Sequence, residues 1–198
     1  MSLISLCVDY PHSYGTHVPL LATGLAFMLS SSKMNALISE IDGTPCPLPL
    51  PVVEFGAGHH STSLISAFAQ ELKTEHIVVE TDREWLYKTT SPTVLSRATV
   101  HLTEASWKAV ELLPKRIGLV LIDCESEGFG RAAVLRRMKE LGVTAEVVVV
   151  HDTEPRNAHL YALEEHLAAY RYRRDDRSRT PHTTMLSNIH DITEGSNG

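Results

Sequence analysis

Residues 52–62 read Val52-Val53-Glu54-Phe55-Gly56-Ala57-Gly58-His59-His60-Ser61-Thr62. A short apolar strand gives way to a turn with two glycines, and a helix opens at Ser61. Gly56 and Gly58 permit a tight turn and a close approach of backbone to a ligand. Ser61 and Thr62 fall at the start of the helix, where free N–H groups favour a carboxylate. A plain strand-to-helix turn with a serine cap would use the same residues. The flanking segments decide between the two.

Outward from this turn, β-type and helix-type segments alternate, which predicts a parallel sheet covered by helices. Strands are expected at 52–55, 77–80, 99–103, 118–123 and 146–150, the last with four consecutive valines. Two more are expected at 170–174 and 183–188. Helices are expected at 61–72, 83–88, 130–141 and 155–170, the last opened by a proline, which pre-sets the backbone. Upstream, 16–41 reads as a helix or a pair of helices, and GTPCPLPLP (43–51) as a proline-rich connector. The expected fold is α/β: a Rossmann-like three-layer sandwich with a mostly parallel seven-stranded sheet. Residues 1–50 form its N-terminal helical extension and connector, and 51–198 its core, in a single domain.

The chain has 198 residues, enough for one substantial core and too few for two full domains with a linker. Apolar residues at 43% and charged residues at 21% exclude disordered and fibrous classes. A net charge of −6 argues against a protein built to grip nucleic-acid backbone. Cys7, Cys46 and Cys124 are an odd number without metal-type pairing, so a reducing, cytoplasmic setting is expected. No Lys or Arg precedes Lys33, unlike a signal peptide, and the apolar run 18–29 is too short to span a bilayer.

In open α/β sheets, ligands bind beyond the carboxyl ends of the strands. Those ends carry Glu54 to Gly58, then Glu80, Glu104, Asp123, and His151 with Asp152. Glu80 follows Glu54 by 26 residues and can accept two hydrogen bonds from a ribose diol. An ordinary solvated acid is its alternative reading.

The glycine turn and Glu80 together resemble the class I S-adenosylmethionine-dependent methyltransferases. VVEFGAGHHST (52–62) looks like their first motif and IVVETD (77–82) like their ribose-binding motif. LVLIDC (119–124) and VVVVHDTE (147–154) look like the strand ends that face the transferred methyl. His60 stands where the third glycine of the loop usually falls. The resemblance implies that Glu54, Gly56, Gly58, Ser61, Thr62, Glu80 and Asp123 form the cofactor site. It places Glu104 or Ala105 by the adenine, unless the acid merely opens a helix before Trp107. The implied cofactor is S-adenosyl-L-methionine.

On the acceptor side, Asp123, His151 and Asp152 are the candidate catalytic residues. Asp123 and Asp152 lie on strands expected to be neighbours, and could hold a divalent cation such as Mg that activates a hydroxyl. This is similar to the catechol-type O-methyltransferases, although Thr153 replaces the Asn that follows their second acid. His151 could instead serve as general base, and Asp152 could simply cap the next helix. Arg131 could clamp a carboxylate or phosphate, or stand solvated at a helix start. Tyr14 and His17, in a segment rich in Tyr and His, could fold over the site or pack as surface. RYRRDDRSR (171–179) reads as an edge strand guarded by charge rather than an RNA-binding surface. The expected partner is a small-molecule or sugar-like acceptor. Two rivals are an NAD-type oxidoreductase and an inactive methyltransferase fold serving as a binding subunit.

Overall fold

The computed structural model describes residues 15–43, 48–124 and 130–193. Helix α1 (Val18–Asp42) leads to β1 (Val52–Phe55), α2 (Ser61–Leu72), β2 (His76–Glu80), α3 (Arg83–Thr89), α4 (Pro92–Leu95) and β3 (Thr99–Leu102). A 3-10 helix (Ser106–Leu112) precedes β4 (Arg116–Ile122), α5 (Gly130–Leu141) and β5 (Thr144–His151). The chain continues through α6 (Pro155–Leu160), α7 (Glu164–Ala168), β6 (Tyr172–Asp176) and β7 (Thr183–Ser187). Among the described residues no helix is long and apolar enough to cross a membrane.

The seven strands lie in the order β3-β2-β1-β4-β5-β7-β6. Strands β1 to β5 are parallel, and β7 runs antiparallel to both β5 and β6. This is the expected mostly parallel, Rossmann-like sheet. The order reverses between β1 and β4, which opens a crevice at their carboxyl ends.

Side-chain alternation divides the core in two. Val53, Phe55, Val120, Ile122, Val148 and Val150 face the 3-10 helix, α5 and α7. Val52, Leu119, Leu121, Val147, Val149 and Met185 face α1 and α2. Two glycines let α1 lie close to the sheet. A Cβ on Gly24 would stand 2.7 Å from Leu119 Cδ1, and one on Gly118 would collide with Met28 Cε.

The helix expected over 155–170 is two short helices. Ala158 and Leu163 are both buried, yet five residues of one helix would set them about 140° apart. A left-handed turn at Ala162 (φ 52°) separates α6 from α7 and returns Leu163 and Leu167 to the core. α4 and the 3-10 helix, where Ala109 and Val110 are buried, lack any strong periodic signal in the sequence.

Candidate active site

Gly56 follows β1 with φ 90°, a conformation that residues other than glycine rarely adopt. Its Cβ would fall on the carbonyl oxygen of Asp123 and 2.9 Å from Cys124 Cα. The turn from β1 is thus pressed against the end of β4. Gly58 is held differently: its N–H donates to Thr62 Oγ1 at 2.9 Å. The residue capping α2 is His60, and Ser61 is the first residue of the helix itself. Ser61 and Thr62 are buried and do not line the cavity beside the turn.

Glu80 anchors this turn. Its Oε2 accepts from Ala57 N–H at 2.9 Å, and its Oε1 accepts from Thr81 N–H at 2.6 Å and Asp82 N–H at 3.0 Å. Trp85, which the sequence reading passed over, donates its indole N–H to Ala57 O at 2.7 Å and meets His59 edge-on. The hint was an aromatic residue in the first turn after the acidic strand end. Glu54 lies elsewhere. It is fully buried, its carboxylate 3.7 Å from His76 Nε2, and it does not line the cavity. The side chain shares the sheet face of Val52, which α1 and α2 cover, so it cannot reach a ligand at the strand end. Glu104 also lies outside the cavity. Its side chain is 87% exposed and paired with Lys108 at 2.6 Å, two residues ahead of the 3-10 helix that Ala105 caps.

A cavity of about 530 Å³ joins these parts to the ends of β4 and β5. Its lining includes Gly56, Gly58, Glu80, Trp85, His17, Asp123, Arg131, His151 and Asp152. The last five form one connected cluster. Asp123 Oδ1 lies 3.0 Å from His151 Nδ1 and accepts from Arg131 Nη2 at 3.1 Å. The same Nη2 donates to Asp152 Oδ2 at 2.8 Å. Arg131 is therefore neither solvated nor reaching outward. It is buried between two acids, with Tyr161 stacked on its guanidinium. His151 Nε2 pairs with Thr16 Oγ1 at 2.8 Å, and His17 Nδ1 lies 3.9 Å from Asp123 Oδ2. Tyr14 lies outside the described residues.

Asp152 adopts φ 58°, a left-handed conformation that Asp and Asn tolerate better than most residues. It does not cap α6, whose cap residue is Glu154. The backbone turn instead directs its carboxylate to Arg131.

The cluster sets its own charges. Burial alone would raise the Asp123 carboxyl. The hydrogen bond and charge of His151, with His17 and Arg131, outweigh it and hold the group well below the usual carboxylate range. Burial works to lower His151, but Asp123 and Asp152 win and raise it. Asp152 is raised by burial, against the pull of His151 and Arg131. His17 is pushed down to about 4 by burial, only partly offset by Asp123.

Asp123 and Asp152, the expected cation ligands, have a guanidinium between them, which already supplies the positive charge. His17, Asp123 and His151 do bring ligand-type atoms within 4.8 Å of one another. Arg131 stands on that same Asp123 carboxylate and repels a divalent ion. The geometry favours a proton-handling cluster over a metal centre.

His17 makes stability depend on pH in a defined direction. A folded value near 4 against an unfolded value of 6.5 means that the unfolded chain takes up the proton first. The contribution is complete above pH 6.5 and is lost as pH falls to 4, a change of about 3 kcal/mol. Denaturant unfolding across this range should show that loss in the wild type and a smaller one in His17→Asn. Equal losses would remove His17 as the source.

No protein-family model matches the chain, and no curated protein matches it. Solved structures do. S-adenosylhomocysteine-bound methyltransferase PaMTH1 from Podospora anserina superposes with a TM-score of 0.54 at 10% identity, covering 93% of each chain. Cofactor-bound Rv0187 from MTB gives 0.51 at 15% identity, over 92% of this chain and 100% of that one. A protein assigned as an rRNA-methylase from Clostridium thermocellum gives 0.51 at 16% identity, over 72% and 88%. Such identities show architecture alone: the chain has the fold of the class I methyltransferases.

Proposed function

We propose that the chain binds S-adenosyl-L-methionine beside Gly56 and Glu80 and transfers its methyl group to a hydroxyl of a small or sugar-like acceptor. One observation carries this reading. The glycine turn, the buried acid Glu80 and the Asp123–His151–Arg131–Asp152 cluster all line one cavity, at the point where the strand order reverses. The residues fit the cofactor. Gly56 offers bare backbone at the cavity edge where β1 presses on the end of β4, and Glu80 presents a carboxylate beside it. When bound, the cofactor supplies an electrophilic methyl on a sulfonium.

The remaining work belongs to the protein. Methyl transfer is an in-line displacement that needs an aligned, deprotonated nucleophile, so catalysis is positioning plus removal of a proton. Asp123 holds Nδ1 of His151, which fixes the ring and leaves Nε2 as the accepting atom. Thr16 Oγ1, itself buried, holds that atom at 2.8 Å, so the proton is relayed to it through this hydroxyl. Asp123 then stabilises the imidazolium. Arg131 keeps the two acids together without a metal.

The acceptor must share about 530 Å³ with the cofactor, which favours a small molecule. The surface supports the same choice. Arg173 and Arg177 both pair with Asp175 at 2.9 Å, which neutralises part of the basic character of 171–179 internally. Calorimetry with S-adenosylhomocysteine, with NAD as competitor, tests the cofactor. Binding is expected for the first and not for the second. Glu80→Gln should weaken binding by about 1.5–3 kcal/mol, the range for a hydrogen bond to a charged group. NAD displacing the ligand, or no binding at millimolar concentration, would discard the reading.

A further inference from the structure

Helix α1 has two apolar faces, and the sheet uses only one. Leu21, Leu25, Met28 and Ser39 are buried on the inner side. Met34, Leu37, Ile38 and Ile41 are 56%, 51%, 46% and 73% exposed. At about 100° per residue the second set is centred roughly 150° around the helix from the first. Its i, i+3, i+4, i+7 spacing is that of a helix-packing stripe. Closer to the start of α1 the outer side is covered: Phe27 stacks on His190, and the neighbouring Ile192 is buried. That cover does not extend to the stripe.

We propose that this stripe packs against the same stripe of a second copy, antiparallel, about a two-fold axis near Leu37 and Ile38. The sequence is self-complementary in that arrangement alone. Met34 faces the second copy's Ile41, and Leu37 faces its Ile38. Lys33 and Glu40, both exposed, are seven residues apart and so share one flank of the stripe. In an antiparallel pair equal flanks meet, and Lys33 of each copy lies by Glu40 of the other, giving two ion pairs. A parallel pair would bring Lys33 to the flank of Ile38, where no acid stands. An isologous, closed interface of this kind limits assembly to a dimer. Four apolar side chains from each copy place it at the small end of stable interfaces, so the dimer is reversible.

Sedimentation equilibrium of the full chain over a range of concentrations tests the proposal. The wild type should dimerise with increasing concentration, and Leu37→Asp should be monomeric, with an unchanged melting curve at concentrations where the wild type is also monomeric. Lys33→Glu and Glu40→Lys should each weaken the dimer by about tenfold, because each replaces two attractions with two repulsions. The double variant Lys33→Glu/Glu40→Lys should restore it. A wild type that stays monomeric, a dimer that survives Leu37→Asp, or a double variant no better than the single ones would each overturn the proposal. So would a monomer that dimerises only after residues 1–14 are removed, since that segment would then be the occupant of the stripe. None of these readouts depends on the cofactor or on catalysis.

Discussion

Gly56→Ala should lose about 3–5 kcal/mol of stability and all measurable affinity for S-adenosylhomocysteine. Two costs combine. A side chain at φ 90° is strained wherever it stands, and this one falls on the Asp123 carbonyl. Backbone strain of this type costs on the order of 1–3 kcal/mol. Separating β1 from β4 by the width of a methyl adds the loss of close packing, which places the variant among the severe cases. Asp123 moves with that carbonyl, so the two halves of the cavity separate together. Gly58→Ala is the control for stability. Its Cβ would meet only the Ser61 hydroxyl, at 2.7 Å, and that side chain can rotate away. Denaturant unfolding and calorimetry on both variants decide the matter. A stable Gly56→Ala that still binds would locate the cofactor away from this turn.

The second large effect lies at His151. His151→Ala should lower the maximal rate by roughly 10²–10⁴-fold, the usual contribution of a positioned base, and leave cofactor affinity close to the wild type. Chelator should change nothing, because Arg131 rather than an ion joins the acids. The pH profile supplies a second readout. A base must be neutral to act, and His151 titrates above 6.5, so activity should rise with pH through that raised value. Asp123→Asn removes the main group that raises it, and the rising limb should move to lower pH. The same shift acts on stability in the opposite sense: the contribution of His151 is complete below 6.5 and is lost as pH rises through the folded value. Full activity in His151→Ala, or inactivation by chelator with recovery on magnesium, would replace this mechanism.

Much of the architecture was legible because glycine and proline punctuate it. The strand at 52–55 and the helices at 61–72 and 130–141 begin and end where the residues predict. The helix at 155–170 misled because its composition is helical throughout, while its division answers to a distant demand for buried leucines. Within the site, the residues at the strand ends were legible and their mutual arrangement was not. Nothing near residue 131 announces that its guanidinium will lie between Asp123 and Asp152. That contact depends on how α5 leaves the sheet, and it turns an apparent cation site into an ion-pair network. Glu54 and Glu104 show the reverse error. Both carry the right chemistry beside the right motif, but alternation along β1 turns one into the protein and the loop after β3 turns the other to solvent.

Helix α1 precedes every other helix and strand of the described residues, yet besides α2 it packs on β4, β5 and β7. During synthesis it leaves the ribosome long before Leu119, Val147 and Met185 exist to receive it. The glycine turn and Glu80 need only β1, β2 and the end of β4, so that part of the cavity can form early. The wall made by His17, which packs on His151, must wait for β5, and docking of α1 is complete only with the last strand. Contacts between such distant parts of a chain are slow to form, because a long loop must close before they stabilise anything. An incomplete chain would therefore hold the half of the cavity built on the glycine turn while lacking the half that carries His151.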